Sequence, residues 1–307
     1  MYLDNHLSEH YPLVSIITLN WNNTEVTCEF LESAKELTWK NFEILVCDMN
    51  SDIDPTERIN SNNYPNTTVL RSEKNLGWGA GNNWGMRQAK GDFLFIVNND
   101  TVVTPGLLEA LIDPFFQDAA IGVTCPKIRF YHNPDVIQYA GFNPINNLTG
   151  RNTSVGNREI DKGQHDKSSF TFSAHGCAMM IKKEIIQKVG MFPEKFFIYY
   201  DEMDLSARVI KGGYKILYEP KGLIFHKESM AMGKKSSLKT YYHTRNRILY
   251  MRRNTSSLQF ACFISFFLLF STPKATIKFL ADKKFDHLKS FFKGIVWNFK
   301  ESKYSVQ

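Results

Sequence analysis

The chain has 307 residues, enough for one large α/β domain with appendages or for two domains. Its hydrophobic content of 43% and charged content of 22% are those of a folded core. The five cysteines (Cys28, Cys47, Cys125, Cys177, Cys262) stand far apart with no CxxC pair, which argues against a structural zinc module. The net charge of +6, with Lys and Arg concentrated after Lys182, leaves nucleic acid, anionic lipid and anionic substrate open as partners.

Leu13 to Asn20 reads as a buried parallel strand. Asn22, Asn23 and Thr24 cap a helix expected to reach about Leu37. Phe42 to Cys47 is the next strand and ends in Asp48, Met49, Asn50, Ser51 and Asp52. A shorter strand covers Thr68 to Arg71, and a Gly-rich segment over 77–85 leads into a helix to about Ala89. Phe93 to Val97 is the fourth strand, and Pro105 opens a helix. This alternation predicts a mostly parallel sheet with right-handed crossovers, an α/β fold flanked by helices.

The stretch 141–169 is rich in Asn, Gly and charge, and reads as a long loop that can act as a mobile lid. Order returns over Ser173 to Val189, with a helix from about Lys183. A further helix starts near Asp201 and ends at Gly212 and Gly213. Tyr214 to Tyr218 and Gly222 to His226 read as two strands. From 238 onward the pattern is helical, which sets a boundary between a domain over 1–237 and an extension over 238–307. The run Phe260 to Phe270 is too short for a bilayer, which needs about 20 residues. After Pro273 a basic helix with Ile277, Leu280, Leu288, Phe291, Phe292, Ile295 and Phe299 at helical spacing fits a membrane interface, or a face packed on the protein's own core. No leader is read at the N-terminus and no RNA-binding signature in the tail, so a nucleic-acid partner is not expected. Nothing in the sequence sets the oligomeric state.

Chemistry is carried by carboxylates at strand and helix ends. Asp100 ends a buried strand, where open α/β sheets place ligands, and can anchor Mg²⁺ or Mn²⁺ because phosphate and water complete such shells. Its alternative is a helix cap. Asp48 is either a base or ribose contact or a turn residue. Gly77, Gly79, Gly81 and Gly85 either cradle phosphate at a helix N-terminus or permit close packing. Asp201 and Glu202 compete for the role of general base. Asp204 either serves the site or favours its helix N-terminus by charge. His226 can complete a cation's shell, and Arg245 and Arg247 can clamp phosphate.

These motifs in this order resemble the inverting family 2 glycosyltransferases of the GT-A fold, in the bacterial rhamnosyltransferase-like branch of surface polysaccharide synthesis. The resemblance covers about residues 12–252. It rests on Val14 to Asn22, Asp48 with Ser51, Asn75 to Gly85, Gly91-Asp92, Asn98-Asn99-Asp100, His175 to Ala178, Phe196 to Leu205 and Pro220 to His226. It implies a nucleotide-diphosphate sugar held by Asn20, Asp48, Asn75, Gly77, Asn82, Asn99 and Arg245. It also implies a divalent cation on Asp100 and His226, and an acceptor lined by His175, Gly176, Cys177 and Asp204. The acceptor it implies is a lipid-linked glycan, met at the anionic inner face of the plasma membrane by a cytoplasmic, peripheral enzyme. The chain departs from the family's Glu-Asp order with Asp201-Glu202, which moves the base position to Glu202. It keeps only the last acid of the DxD element. Those changes motivate the alternative of a non-catalytic nucleotide-sugar or carbohydrate-binding relative.

Overall fold

A computed structural model describes residues 11–227 and 236–304. In chain order the strands are β1 (Val14–Asn20), β2 (Phe42–Asp48), β3 (Thr67–Arg71), β4 (Phe93–Val97), β5 (Thr101–Val103), β6 (Ile121–Phe130), β7 (Asn133–Tyr139), β8 (Ser169–Thr171), β9 (Ala178–Lys182) and β10 (Lys215–His226). The helices are α1 (Thr24–Ala34), α2 (Thr56–Asn60), α3 (Trp78–Gln88), α4 (Leu107–Gln117), α5 (Lys183–Val189), α6 (Asp201–Lys211), α7 (Ser237–Asn254), α8 (Ser257–Phe266), α9 (Thr272–Ala281) and α10 (Phe285–Lys300).

One sheet runs β3-β2-β1-β4-β9-β6-β10-β5, with β7 on β6 and β8 on β10. The first four strands are parallel, and β9 and β5 join antiparallel. Every residue of β4 is buried, as strands covered on both faces require. The topology brings the chemistry to one edge. Asn20 and Asp48 end neighbouring strands in register, Asn98 to Asp100 follow β4, and Thr101 of β5 pairs with His226 at the end of β10. Asp100 and His226 therefore meet because two strand ends are registered against each other.

Three expectations about elements are corrected. The two strands expected between Tyr214 and His226 are one strand, β10, with an irregular register between Glu219 and Leu223 where Pro220 interrupts pairing. β6 and β7 fall where no strand was expected. Lys127 is buried in β6 and breaks its apolar reading, and it is held by Asp161 at 2.9 Å and by Asp166. Asp161 belongs to the stretch 141–169. That stretch carries isolated antiparallel bridges, Val136 with Ile160, Phe142 with Ser154 and Asn146 with Arg151.

The third correction concerns Pro273. The apolar run and the basic helix expected after Pro273 are continuous: one helical run of 25 residues spans Ser257–Ala281, with an 18-residue window of mean hydropathy 1.6. A helix-interior proline removes one N–H and crowds the carbonyl four residues back. Here the wider π turn Phe267–Ser271 comes just before it, and Thr272 Oγ1 donates to the Phe267 carbonyl at 3.0 Å. That turn absorbs the misfit. At 1.5 Å per residue the run measures about 37 Å, long enough for a hydrocarbon core of about 30 Å. By length and composition it can cross a membrane, and 11% of its apolar window is buried.

The C-terminal helices have their own core. Ile248, Leu249 and Met251 of α7 pack with Phe263, Phe267, Phe291 and Ile295, and with Phe196 and Tyr200 from the segment preceding α6.

Candidate active site

The floor of the site is a closed polar network. Asn20 Nδ2 donates to Asp48 Oδ1 at 2.8 Å and to Ser51 Oγ at 3.2 Å. Thr27 Oγ1 donates to Asn20 Oδ1 at 2.8 Å, and Asn99 Nδ2 donates to Thr27 Oγ1 at 2.8 Å. Ser51 N donates to Asp48 Oδ2 at 3.1 Å, and Arg71 approaches the same oxygen at 3.7 Å. Asp48 is wholly enclosed, so it shapes the floor by holding Asn20 and Ser51 in place.

Beyond it lies the turn after β4. Asn98 N donates to the Cys177 carbonyl at 2.9 Å, and Trp78 Nε1 donates to Asn98 Oδ1 at 3.0 Å. Asp100 Oδ1 lies 3.1 Å from His226 Nε2, and His226 Nδ1 lies 2.8 Å from Gln138 Oε1. His226 is buried. Burial works against its charged form, but Cys177 and Asp100 outweigh that and raise its pKa well above the usual histidine range. His175 stacks on Phe142 and accepts from Cys177 N at Nδ1. Burial first, then His226, lowers the His175 pKa to about 3, so it stays neutral.

The acidic pair faces this turn from α6. A Cβ on Gly176 would sit 3.6 Å from the Glu202 carboxyl carbon and 3.6 Å from the Trp78 ring. Gly176 is flanked by His175 and Cys177, whose side chains reach His226. One residue thus separates the Glu202 carboxyl from the Asp100–His226 pair. Asp201 is buried, and its Oδ2 has no hydrogen-bond partner. Burial, then the neighbouring Glu202 charge, pushes the Asp201 pKa well above the carboxylate range. Burial also raises that of Glu202. A close carboxyl pair of this kind retains a proton between its members. Asp201 is the enclosed member, while Glu202 opens onto a cavity of about 510 Å³.

The glycine series serves close packing. A Cβ on Gly77 would lie 2.5 Å from the Phe197 ring, one on Gly81 2.8 Å from Met49, and one on Gly85 2.6 Å from Ile17. Gly79 lets Asp201 Oδ2 approach to 3.0 Å of its Cβ position. Asn75 accepts from Gly77 N at 2.9 Å, and Asn82 Nδ2 donates to the Trp78 carbonyl at 2.9 Å, so both shape the loop.

Two expected residues are turned elsewhere. Asp204 is fully buried beneath α6 and takes Arg208 at 3.0 Å, Arg253 at 2.7 Å and Asn254 at 2.9 Å. Its carboxylate ties α6 to α7 and is not presented to an acceptor. Arg245 is also buried; its guanidinium donates to the Lys195 and Phe196 carbonyls and lies over the Tyr242 and Trp297 rings. Those contacts use it for packing, leaving no free fork for phosphate.

Sequence reasoning missed Gln138, which sits on a strand that was not foreseen, and Thr27, whose role depends on the β1–α1 geometry. It also missed Asn246. None of the three carries a local sequence signal.

The donor set fits a divalent cation bound together with a diphosphate. Among the described residues no group of three or more His, Cys, Asp or Glu side chains forms a complete metal shell. Asp100 and His226 form a two-donor half-site, and Mg²⁺-type ions take one or two protein ligands with phosphate and water for the rest. With Gln138 Oε1 accepting from Nδ1, the Nε2 of His226 is the nitrogen that faces Asp100, and a cation bound there would displace the proton that Cys177 and Asp100 favour on the ring.

Comparisons with known proteins show the family and the fold. The family model described as "Glycosyl transferase family 2" matches residues 15–190. An uncharacterized protein of Sinorhizobium fredii, y4gI, is 27% identical over 267 residues, covering 82% of this chain; the chain spans only 28% of that relative's length. A Mycobacterium tuberculosis protein named N-acetylglucosaminyl-diphospho-decaprenol L-rhamnosyltransferase is 22% identical over 248 residues, covering 72% of this chain and 78% of that one. The solved structure of the mannosyltransferase PcManGT from Pyrobaculum calidifontis, in complex with GDP-Man and Mn²⁺, superposes with a TM-score of 0.58 at 15% identity. That superposition covers 94% of this chain and 88% of the other.

Proposed function

The chain belongs to glycosyl transferase family 2 and has a GT-A fold, and from that premise we propose that it transfers a sugar from a nucleotide diphosphate to a hydroxyl of a lipid-linked glycan, with inversion. The observation that carries this reading is the placement of Glu202 one glycine away from the Asp100–His226 pair.

The acceptor hydroxyl loses its proton to Glu202 as its oxygen bonds to the anomeric carbon. The bond from that carbon to the donor phosphate oxygen breaks on the opposite face, which inverts the centre and releases the nucleoside diphosphate. Asp201 retains the pair's proton and leaves Glu202 as the group that accepts one. Asn99 orients the nucleoside over a floor that Asn20, Asp48, Ser51 and Thr27 brace from within. Asp100 and His226 would hold a divalent cation, which would neutralise charge developing on the leaving diphosphate. Trp78, fixed by Asn98, closes the floor beneath the reacting groups and excludes water.

We place the enzyme at the inner face of the plasma membrane, acting in surface polysaccharide synthesis. The support is the surface of the C-terminal helices, where Leu269, Phe270, Ile277, Phe285 and Phe299 are all more than half exposed beside Lys274, Lys278 and Lys300. The relative named as a decaprenol-linked rhamnosyltransferase supports a lipid-linked acceptor.

The test is transfer by the full chain from a panel of UDP-, GDP- and dTDP-sugars with Mn²⁺ to polyprenyl-linked sugar acceptors. Product with any pair, lost in Glu202→Gln, is the expected result. Equal turnover in Glu202→Gln and the parent chain would remove the assignment.

A further inference from the structure

The cavity of about 510 Å³ onto which Glu202 opens has a composition that the transfer mechanism does not use. Its volume lies within the range of small-ligand sites, roughly 300–1,000 Å³. One part of its wall is cationic, formed by Arg151, Lys239 and Arg247. Among the described residues none of the three forms an ion pair; the Lys239 ammonium lies over the Tyr199 ring at 5.7 Å, and the Arg247 Nε donates only to the Thr149 carbonyl at 2.6 Å. Arg247 is buried, and its guanidinium lies over the Phe267 ring at 4.9 Å. Burial, then the Arg151 charge, lowers its pKa to about 10, which leaves it charged at neutral pH. The Asn152 amide nitrogen, in the same wall, is buried without an acceptor.

Holding unpaired cations and an unpaired donor together is costly unless an anion completes them. The adjoining part of the wall is apolar. Phe267, Ala275 and Phe279 come from the 25-residue apolar helical run and Phe291 from α10. The cavity thus joins a general base, an anion site and an apolar wall belonging to the segment with the composition of a membrane helix.

We propose that this cavity is the acceptor site for a prenyl-diphosphate-linked sugar, with the diphosphate on Arg151, Lys239 and Arg247, the first isoprene units on Phe267 and Phe279, and the sugar hydroxyl at Glu202. This rests on the glycosyltransferase reading and adds to it the chemistry of the group that links sugar to lipid. Three cations against one carboxylate suit a ligand carrying about two negative charges. The donor's diphosphate belongs at Asp100, on the other side of Gly176, so the two diphosphates occupy different places.

The experiment measures binding of farnesyl diphosphate to the full chain, and separately of nucleoside diphosphates (UDP, GDP and dTDP) with Mn²⁺. Arg151→Ala/Lys239→Ala is the variant, since Arg151 is exposed and Lys239 half-buried, and the buried Arg247 is left in place. Farnesyl diphosphate should bind at least tenfold more tightly than either farnesol or inorganic diphosphate. The double variant should lose tenfold or more for farnesyl diphosphate and leave nucleotide binding unchanged. Asp100→Ala should do the reverse. Equal farnesyl diphosphate binding in parent and double variant, or its displacement by the nucleoside diphosphate, would overturn the proposal; displacement would assign the cavity to the donor. Failure of Asp100→Ala to affect nucleotide binding would strike the glycosyltransferase reading instead, and the two failures read out on different ligands.

Discussion

Asn246 on α7 donates from its side-chain amide to the carbonyl of Tyr199 at 2.9 Å, and the same nitrogen reaches the Ile198 carbonyl at 2.7 Å and the Phe196 carbonyl at 3.0 Å. The segment it holds is strained. Phe197, Tyr199 and Tyr200 have φ of 66°, 67° and 71°, a region that disfavours side chains with a Cβ. That segment delivers Asp201 and Glu202 at the first turn of α6, so the C-terminal helices position the general base.

Asn246→Ala should therefore act at a distance. Buried carbonyls would lose their donor at a cost of roughly 1–3 kcal/mol. Denaturant unfolding should show that loss. Turnover should fall while the KM for the donor changes little, because the polar floor at Asp48 is untouched. An unchanged turnover in a folded variant would show that α7 does not position the base.

The acidic pair gives opposite expectations for its two members. Glu202→Gln should lower turnover by about 10²–10⁴-fold, the usual loss for a general base, whereas Asp201→Asn should retain much of it because Asp201 is the protonated member. The stability sign is specific. A carboxyl whose pKa is raised on folding binds more protons in the folded state, so stability falls as pH rises from the unfolded to the folded pKa. Asp201→Asn should raise Tm at neutral pH and lose that advantage below the ordinary carboxylate pKa. The parent's rate should rise with pH through a midpoint above that range, as Glu202 gives up its proton. A Tm lowered at neutral pH by Asp201→Asn would count against the shared proton.

Gln138 should matter although it carries no charge. Gln138→Leu removes the acceptor that orients His226, and such outer partners typically change metal affinity by about 10–100-fold. Mn²⁺ titration in the presence of a nucleoside diphosphate reads this directly. Unaltered affinity would show that His226 needs no orientation, or does not ligate.

Gly77→Ala tests whether the glycine-rich loop is there for packing. The new Cβ would meet Phe197 at 2.5 Å, at a residue with φ of 80°. Stability should fall by about 1–3 kcal/mol from strain of this kind, before any nucleotide is added. A variant as stable as the parent but deficient in nucleotide binding would support the phosphate-cradle alternative.

Much of this site is visible in the sequence because it sits where buried parallel strands end. β1, β2 and β4 are apolar runs, and each delivers its polar residues, Asn20, Asp48 and Asn98 to Asp100, at the same edge. Other features depend on packing that crosses the whole chain. Arg245 reads as a phosphate clamp until Tyr242, Trp297 and two carbonyls are seen around it. Asp204 reads as part of an acidic triplet until Arg253, 49 residues on, is found against it. Phe260 to Phe270 reads as too short for a bilayer because the π turn that carries the helix on past Pro273 leaves no mark in a hydropathy pattern.

Membrane contact can be checked on the exposed apolar face. Leu269→Asp/Ile277→Asp alters two side chains that are 69% and 68% exposed, so folding should be preserved. Cosedimentation with vesicles containing phosphatidylglycerol should fall sharply. Equal binding by both proteins would place the helical run away from lipid.

The most direct measurement is a crystal structure of the full chain with Mn²⁺ and a nucleoside diphosphate, read by the anomalous signal of manganese. The account predicts one peak within coordination distance of Asp100 and His226, beside the diphosphate, with Gly176 lying between it and Glu202. A nucleotide bound with its metal away from Asp100, or on a face with no opening toward Glu202, would contradict it.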